Sequence, residues 1–322
     1  MPPASNAVQV TLSDLLGLRL RARRLEQPAW NRVSGAHSAV HASRFRGRGV
    51  DYSESRNYQP GDDIRQMDWR VTARTGRPHT KLFQEERERN VLLVVSHNPS
   101  LRFGTRVRFK SVQAARAAAL IAWAAALGGD RVGALGYGPG LNAEVKPGGG
   151  PRGALRVLRA LVEWDAIRNA QVRNANDTEA DVPLSTALRR AQRLARPGSQ
   201  ILLIGDGFDC DAAAESALAL LSEHCDVAAL LVTDPLEQSA PPPARYTLQS
   251  AGRRIQLDFA SARTRAHWTE VFAQRRAHFL DLLRKRALKH AVIDTRAEPE
   301  NALRDLLGLG ARRAKALARK SA

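Results

Sequence analysis

The sequence predicts an α/β fold in which a mostly parallel β-sheet carries helices on both faces. Short apolar runs rich in β-branched residues, such as VLLVV at residues 91–95, are continuous rather than alternating, as expected for strands buried on both faces. The segments between these runs have helical character and are long enough for crossovers between parallel strands. In such a sheet, ligands bind at the carboxyl ends of the strands where the strand order reverses.

The predicted elements alternate along most of the chain. An amphipathic helix is expected near residues 12–25, and residues 91–95 are expected to form a central strand. Later helices are predicted at residues 107–127, 152–164, 183–195, 212–224, 262–287 and 298–307. Further strands are predicted at residues 131–137, 141–146, 201–204, 227–233 and 291–294, with a peripheral hairpin at residues 245–259.

Changes in pattern divide the chain into four predicted parts. Before about residue 89 the sequence is irregular and polar, whereas strand and helix signals alternate regularly after it. The parts are an N-terminal helix and linker (1–34), a small motif segment packed on the main domain (35–89), the main α/β domain (90–309) and a basic tail (310–322).

Composition limits the classes of function. Of 322 residues, 43% are hydrophobic and 25% charged, as in a globular protein with a core. The formal net charge of +18 raises the alternative of a nucleic-acid partner. However, seven of the 50 basic residues are lysines and the others are arginines, spread along a chain with few aromatic residues (5%). We therefore favour a compositional bias of the genome over a nucleic-acid site.

The sequence predicts neither a cysteine-based site nor a membrane span. Cys210 and Cys225 lack the spacing of a disulfide framework or a zinc site. Residues 1–24 contain charges that interrupt the apolar core a signal peptide needs. The longest apolar run, residues 117–129, is too short to cross a bilayer. We therefore expect a cytoplasmic protein.

Two loops at the predicted sheet edge carry polar residues. SHNPS at residues 96–100 follows the central strand, and GDGFD at residues 205–209 follows a later strand. These loops resemble the metal site of von Willebrand factor A domains. In those domains Asp-x-Ser-x-Ser follows the first strand, a Thr lies in a later loop and an Asp follows the fourth strand. The resemblance implies a Mg²⁺ site of about six oxygens that is open to a partner's carboxylate.

The metal-site pattern is degenerate in this chain. Ser96 stands at the first Asp position, and Asn98 stands at the first Ser position. Ser100 matches the pattern, Val182 falls where the Thr belongs, and Asp206 remains. Because a single carboxylate is left, too few anionic oxygens remain for a hard cation. We therefore expect no metal and no other cofactor, although Mg²⁺ is the ion that the complete pattern would suit.

The segment at residues 47–74 interleaves acids and arginines around a turn that Pro60 and Gly61 predetermine. We expect a rigid, internally paired platform that presents this turn to a partner. If the stretch around Trp69 is extended, its ring packs inward while Asp68 and Arg70 share the other face. The predicted partner-binding residues are Asp62, Asp63, Arg65, Asp68, Trp69 and Arg70.

Long motifs in a fixed order make residues 35–308 similar to the bacterial family called domain of unknown function 58. These motifs are RxYxPGDDxRxxDWRxxAR at residues 56–74, KxFxEERER at 81–89, FGT at 103–105, GDRVGAL at 129–135 and DPLE at 234–237. The resemblance implies a von Willebrand factor A-like domain and a small β-rich portion formed by the N-terminal segment. It also implies MoxR-type AAA+ ATPases and other von Willebrand factor A proteins as partners, and no defined catalytic residues.

Three functions follow from these observations. The first is a non-catalytic protein-interaction module, an adaptor for a MoxR-type ATPase in protein maturation or complex assembly. The second is a protein that binds nucleic acid or an acidic surface, which requires a contiguous basic face. The third is a hydrolase that uses the carboxylates of residues 51–68, which must then converge in a pocket. Because no His or Cys motif supports a reaction, we predict that the protein is not an enzyme.

Overall fold

A computed structural model describes residues 6–25, 50–59, 64–85, 88–173, 181–250 and 253–307. The chain forms two compact units. The main unit comprises Met1–Ser34 and Arg89–Ala322, and the small unit comprises Gly35–Glu88.

The described chain contains ten strands and ten α-helices. The strands are β1 (Val50–Asn57), β2 (His79–Glu85), β3 (Asn90–Ser96), β4 (Arg131–Gly138), β5 (Leu141–Gly149), β6 (Gln200–Gly205), β7 (Asp226–Thr233), β8 (Arg245–Ser250), β9 (Arg253–Asp258) and β10 (Lys289–Asp294). The helices are α1 (Leu12–Gly17), α2 (Arg19–Ala22), α3 (Trp69–Thr75), α4 (Lys110–Leu127), α5 (Gly150–Arg173), α6 (Leu184–Leu194), α7 (Ala214–His224), α8 (Pro235–Gln238), α9 (Ala262–Lys285) and α10 (Pro299–Leu306).

The main unit is built on a six-stranded sheet in the order β10-β7-β6-β3-β4-β5. All neighbouring strands are parallel except β5, which is antiparallel to β4 at one edge. β3 lies between β4 and β6, so the strand order reverses beside it. The predicted fold class, the central strand and the peripheral hairpin β8–β9 are confirmed.

Two apolar layers cover the sheet because alternate residues of each strand point to opposite faces. Val91, Leu93 and Val95 pack in a core with α1, α2, α4, α5 and α10. Leu92 and Val94 face the other core, which contains α6, α7 and α9. Both layers are apolar, which explains why the strand sequence is a continuous rather than an alternating apolar run.

Helix α4 is buried along almost its whole length. Its alanine-rich sequence lets neighbouring elements approach on every side, as expected for a helix without a polar face. The N-terminal helices α1 and α2 cover it, and the indole Nε1 of Trp123 donates a hydrogen bond of 3.1 Å to the carbonyl of Leu15. The first described residues therefore belong to the same compact unit as the sheet.

The small unit contains an antiparallel hairpin of β1 and β2 together with α3. The register of the hairpin shifts between Tyr52 and Glu54, as in a β-bulge. A bridge between Met67 and Thr80 ties the segment before α3 to β2. This hairpin is the small β-rich portion that the family resemblance implies.

Gly207 should be intolerant of a side chain. Its φ is 74°, and a methyl group there would overlap the ring of Phe279 on α9. Gly198 has a similar φ of 81° with open space around it, so Gly198→Ala isolates the backbone cost of about 1 kcal/mol. We expect Gly207→Ala to lower the free energy of unfolding by about 1–3 kcal/mol more than Gly198→Ala, measured by urea denaturation. Equal losses would contradict a steric role for Phe279.

Candidate functional site

The loops that follow β3 and β6 lie side by side at the carboxyl edge of the sheet. The two strands are paired in parallel, with Val95 opposite Ile204. The structure therefore brings Ser96 and Asn98 close to the loop that contains Asp206 and Asp209. All four side chains are buried.

Asp209 accepts hydrogen bonds from the loop after β3 and from β4. Its Oδ2 accepts from the Oγ of Ser96 (3.3 Å), the Nδ2 of Asn98 (2.7 Å) and the hydroxyl of Tyr137 (2.8 Å). Asp209 was not a predicted site residue. The structure shows instead that it is the centre of a buried hydrogen-bond network.

Asn98 joins the two loops to the segment before α6. Its Nδ2 donates to the carbonyl of Val182 (3.0 Å), and its Oδ1 accepts from the amide of Val182 (3.0 Å). Val182 thus contributes backbone groups at the position where a Thr would contribute a hydroxyl. Ser100 lies half-buried in a 3₁₀ turn at Pro99–Leu101.

Lys110, the first residue of α4, places a buried positive charge next to the loop that follows β6. Its Nζ lies 2.8 Å from the Oδ2 of Asp206 and also donates to the Oε1 of Glu237 on α8. The Lys110 side chain is completely buried, and its ammonium lies 4.8 Å from the centroid of the Phe208 ring. Asp206 was a predicted site residue, but Lys110 and Glu237 were not.

Two motifs of the sequence meet beside Lys110. Asp234 precedes α8 and is completely buried. Its Oδ1 accepts from the hydroxyl of Thr105 (2.6 Å), and its Oδ2 accepts from the hydroxyl of Thr295 (2.8 Å). Asp234 and Glu237 also form a capping box at the start of α8. The hydrogen bond from Thr105 to Asp234 therefore joins the FGT motif to the DPLE motif.

In the small unit, Asp68 has a different role from the predicted one. It is the N-cap of α3: its Oδ1 accepts from the amide of Val71 (3.2 Å), and its Oδ2 accepts from the hydroxyl of Ser55 (2.7 Å). Asp68 is buried, whereas Trp69 is 65% exposed. The expectation that Trp69 packs inward while Asp68 and Arg70 share the outer face is wrong, because a helix rather than an extended strand begins at Trp69.

The other predicted residues of this segment divide into two groups. Arg65 and Arg70 are exposed. Asp62 and Asp63 lie outside the described residues. Their predicted roles in partner binding stay predictions.

A family model identifies the family of the chain. The model of "Protein of unknown function DUF58" matches residues 54–278. The chain belongs to the DUF58 family. Uncharacterized protein Rv1480 of Mycobacterium tuberculosis and uncharacterized protein Mb1516 of Mycobacterium bovis are each 33% identical over 238 residues, which cover 74% of this chain and 72% of the relative.

This DUF58 chain is also similar to a solved structure. It is the crystal structure of conserved hypothetical protein BatB from Bacteroides thetaiotaomicron, which is 17% identical and has a TM-score of 0.43. The likeness covers 70% of this chain and 99% of that chain. In the described part of the DUF58 chain, no helix is both long and apolar enough to cross a membrane.

Burial shifts the pKa values of the groups around Lys110. Burial lowers the pKa of Lys110, but the carboxylates of Asp206 and Glu237 outweigh it and hold the pKa above its usual value. Burial also raises the pKa of Glu237, although Lys110 opposes this change. The pKa of Asp209 rises to about 7, first because it is buried and second because Asp206 is near. The carboxyl group of Asp209 therefore titrates near neutral pH.

The donor set at the sheet edge does not fit a divalent cation. The Lys110 ammonium already compensates Asp206 and Glu237, and a second cation beside it would be repelled. The Oδ2 of Asp209 is occupied by three hydrogen-bond donors. A hard cation such as Mg²⁺ needs about six oxygens. The carboxylates of Asp206, Glu237 and Asp209 are instead engaged by Lys110, Asn98 and Tyr137.

His97 is a buried histidine rather than an exposed base in the loop after β3. It is buried, with its ring edge-on to Trp164 at a centroid distance of 5.8 Å. Burial, with the nearby Arg168 as a second cause, lowers the pKa of His97 to about 3. The imidazole is therefore neutral at physiological pH and enclosed by the fold.

Replacing Lys110 should leave two buried carboxylates without compensation. We expect Lys110→Met to lower the free energy of unfolding by about 3–5 kcal/mol at pH 7.5. The deficit should shrink as the pH falls, because burial raises the pKa of Glu237 and its protonation removes part of the uncompensated charge. Urea denaturation at several pH values measures both effects. Lys146→Met, at an exposed position on β5, is the matched control and should change stability by less than about 0.5 kcal/mol. A similar small effect of Lys110→Met would contradict the proposed charge compensation.

Asp209 should make stability depend on pH between about 4 and 7. Its folded pKa of about 7 lies above the unfolded value of about 3.9, so the folded state holds the proton more tightly. The resulting stability is fully present below pH 4 and is lost as the pH rises through 7. We expect Asp209→Asn to flatten this decline in urea denaturation.

Asp211→Asn is the control for the Asp209 experiment. Burial raises the pKa of Asp211, but hydrogen bonds from Ser185 outweigh this effect and lower it overall. Its contribution to stability is therefore lost as the pH falls, the opposite direction. A decline between pH 4 and 7 that persists unchanged in Asp209→Asn would show that other groups cause it.

Proposed function

We propose that this DUF58 chain is a non-catalytic protein-interaction module that works without a bound metal. We further propose that it is an adaptor for a MoxR-type AAA+ ATPase in protein maturation or complex assembly. The observation that carries the first proposal is the internal compensation around Lys110. Asp206 and Glu237 bind its ammonium, which supports a mode of partner binding that needs no bridging metal.

The reactivity of the described residues supports a non-catalytic role. Burial raises the pKa of the Cys210 thiol to about 12 and also raises the pKa of the Cys225 thiol, so neither forms a nucleophilic thiolate at neutral pH. His97 is neutral and buried. The carboxylates of Asp206 and Asp209 at the sheet edge are engaged with the internal donors Lys110 and Asn98.

The partnership with a MoxR-type ATPase and with other von Willebrand factor A proteins comes from the family resemblance. A module that binds proteins through a fixed surface needs no chemistry of its own, which agrees with a sheet edge closed by hydrogen bonds. We also propose that the protein acts in the cytoplasm, where an AAA+ ATPase has access to ATP.

Binding to the ATPase should be independent of divalent cations. The purified MoxR-type ATPase of the native host is immobilised without nucleotide. The dissociation constant of this chain is then measured in EDTA and in Mg²⁺, each at about 5 mM. We expect less than about a twofold difference, because no ion bridges the partners. Isothermal titration of Mg²⁺ and Mn²⁺ into the chain alone should show no saturable heat.

Three results would contradict these proposals. Saturable cation binding that Asp206→Asn abolishes would show a working metal site, and loss of the complex in EDTA would show that this site holds the partner. No binding under either condition would reject the ATPase as the partner while leaving the metal question to the calorimetry.

A further inference from the structure

The small unit exposes two large apolar side chains that lie five positions apart in one sequence motif. Ile64 is 62% exposed and Trp69 is 65% exposed. Tryptophan is seldom so exposed, and with arginine it is among the residues that contribute most to protein interfaces. We call Ile64 and Trp69 the Ile-Trp patch.

Arginines surround the Ile-Trp patch in the sequence. Within residues 64–79, the exposed charged residues are Arg65, Arg70, Arg74 and Arg77. Asp68 is the acid of this stretch, and it is buried as the cap of α3. The exposed side chains described in residues 64–79 thus include two large apolar groups and four arginines, of which Arg65 also has a partner within the chain.

The backbone that carries the patch is fixed by its own hydrogen bonds. Asp68 caps the first turn of α3, and Gly76 ends the helix in the left-handed region with a φ of 70°. The amide of His79 donates to the hydroxyl of Thr72 (3.0 Å), which joins α3 to β2. Little ordering is then required when a partner binds, which favours affinity.

We propose that the Ile-Trp patch is the docking surface for a protein partner whose apolar pocket is bordered by Asp and Glu side chains. This inference rests on the proposed function, since it names the surface through which the adaptor binds. Trp69 would fill the pocket, and Arg70 and Arg74 would pair with the surrounding carboxylates.

The same observations argue against two other occupants. A second copy of this chain would bring arginines against arginines, and this like-charge contact opposes self-association. A single nucleic-acid strand is usually bound by successive aromatic rings, whereas Trp69 is accompanied by the aliphatic Ile64 and by no Phe or Tyr in residues 64–79. An acidic protein surface matches both the apolar pair and the charge.

Substitutions in the patch should weaken binding of the purified ATPase without unfolding the small unit. We expect Trp69→Ala to raise the dissociation constant on the order of tenfold or more, and Ile64→Ala to raise it severalfold. Arg70→Glu combined with Arg74→Glu should weaken binding on the order of tenfold and reduce its dependence on salt. Trp69→Phe, which keeps an aromatic anchor, should retain most of the affinity.

Matched controls on the main unit separate this effect from general surface changes. Leu220→Ala removes another exposed apolar side chain (58% exposed), and Arg263→Glu reverses an exposed charge on α9. Both should leave the dissociation constant within about twofold of the unchanged protein. Melting temperatures of all variants are measured to confirm that each is folded.

A second arm tests the patch without the ATPase. Fluorescence of Trp69, obtained by difference from Trp69→Phe, is recorded during titration with an amphipathic peptide of Leu and Glu. The same titration is made with a Leu and Lys peptide and with poly(dT). We expect saturable quenching by the acidic peptide alone. Equal quenching by poly(dT) would overturn the proposal in favour of a nucleic-acid site.

The two arms distinguish failure of the inference from failure of the proposed function. If the ATPase binds the unchanged protein and Trp69→Ala equally well, the inference is overturned and the adaptor role stands. If the ATPase does not bind at all, that partner is rejected, and the peptide titration decides the patch. Absence of quenching, or shielding of Trp69 from acrylamide in the free protein, would then overturn it.

Discussion

The arrangement of the sheet edge depends on one buried ammonium group. Lys110 is the first residue of α4, where the positive end of the helix dipole disfavours a cation. Burial adds to this cost, since a charge removed from water must be compensated nearby. Asp206 on the loop after β6 and Glu237 on α8 provide that compensation, which fixes three separate segments around one point. The FGT and DPLE motifs are joined next to this cluster by the hydrogen bonds of Thr105 to Asp234.

The fold was predictable because its strands are buried on both faces and read as continuous apolar runs. The positions of Ser96, Asn98 and Asp206 followed from strand topology, since the carboxyl ends of parallel strands meet at one edge. Lys110 was missed because a lysine at the start of a helix is usually solvated. A signal existed: the chain uses seven lysines among 50 basic residues, and a compact ammonium rather than a planar guanidinium suits a site between two buried carboxylates.

The buried and exposed residues of the motif segment in the small unit were predicted the wrong way round. Asp68 followed by WRVTAR is a helix start, with the aspartate as N-cap, and this pattern was available in the sequence. An extended interpretation instead assigned Asp68 to the surface and Trp69 to the interior. The cap reverses both assignments: the carboxylate is buried by its bonds to Val71 and Ser55, and the indole is left exposed.

The net charge of +18 is a poor guide to the partner, because part of the basic charge is used inside the main unit. Arg108 and Arg116 are buried and, together with Arg21, donate to the single carboxylate of Glu298 at the start of α10. These arginines hold α2 and α10 against α4, and Arg108 and Arg116 are enclosed rather than offered to a polyanion. What matters for recognition is where positive charge reaches solvent beside apolar surface. Residues 64–79 combine both features on a small, internally bonded unit, so recognition is better inferred from that local pairing than from the total charge.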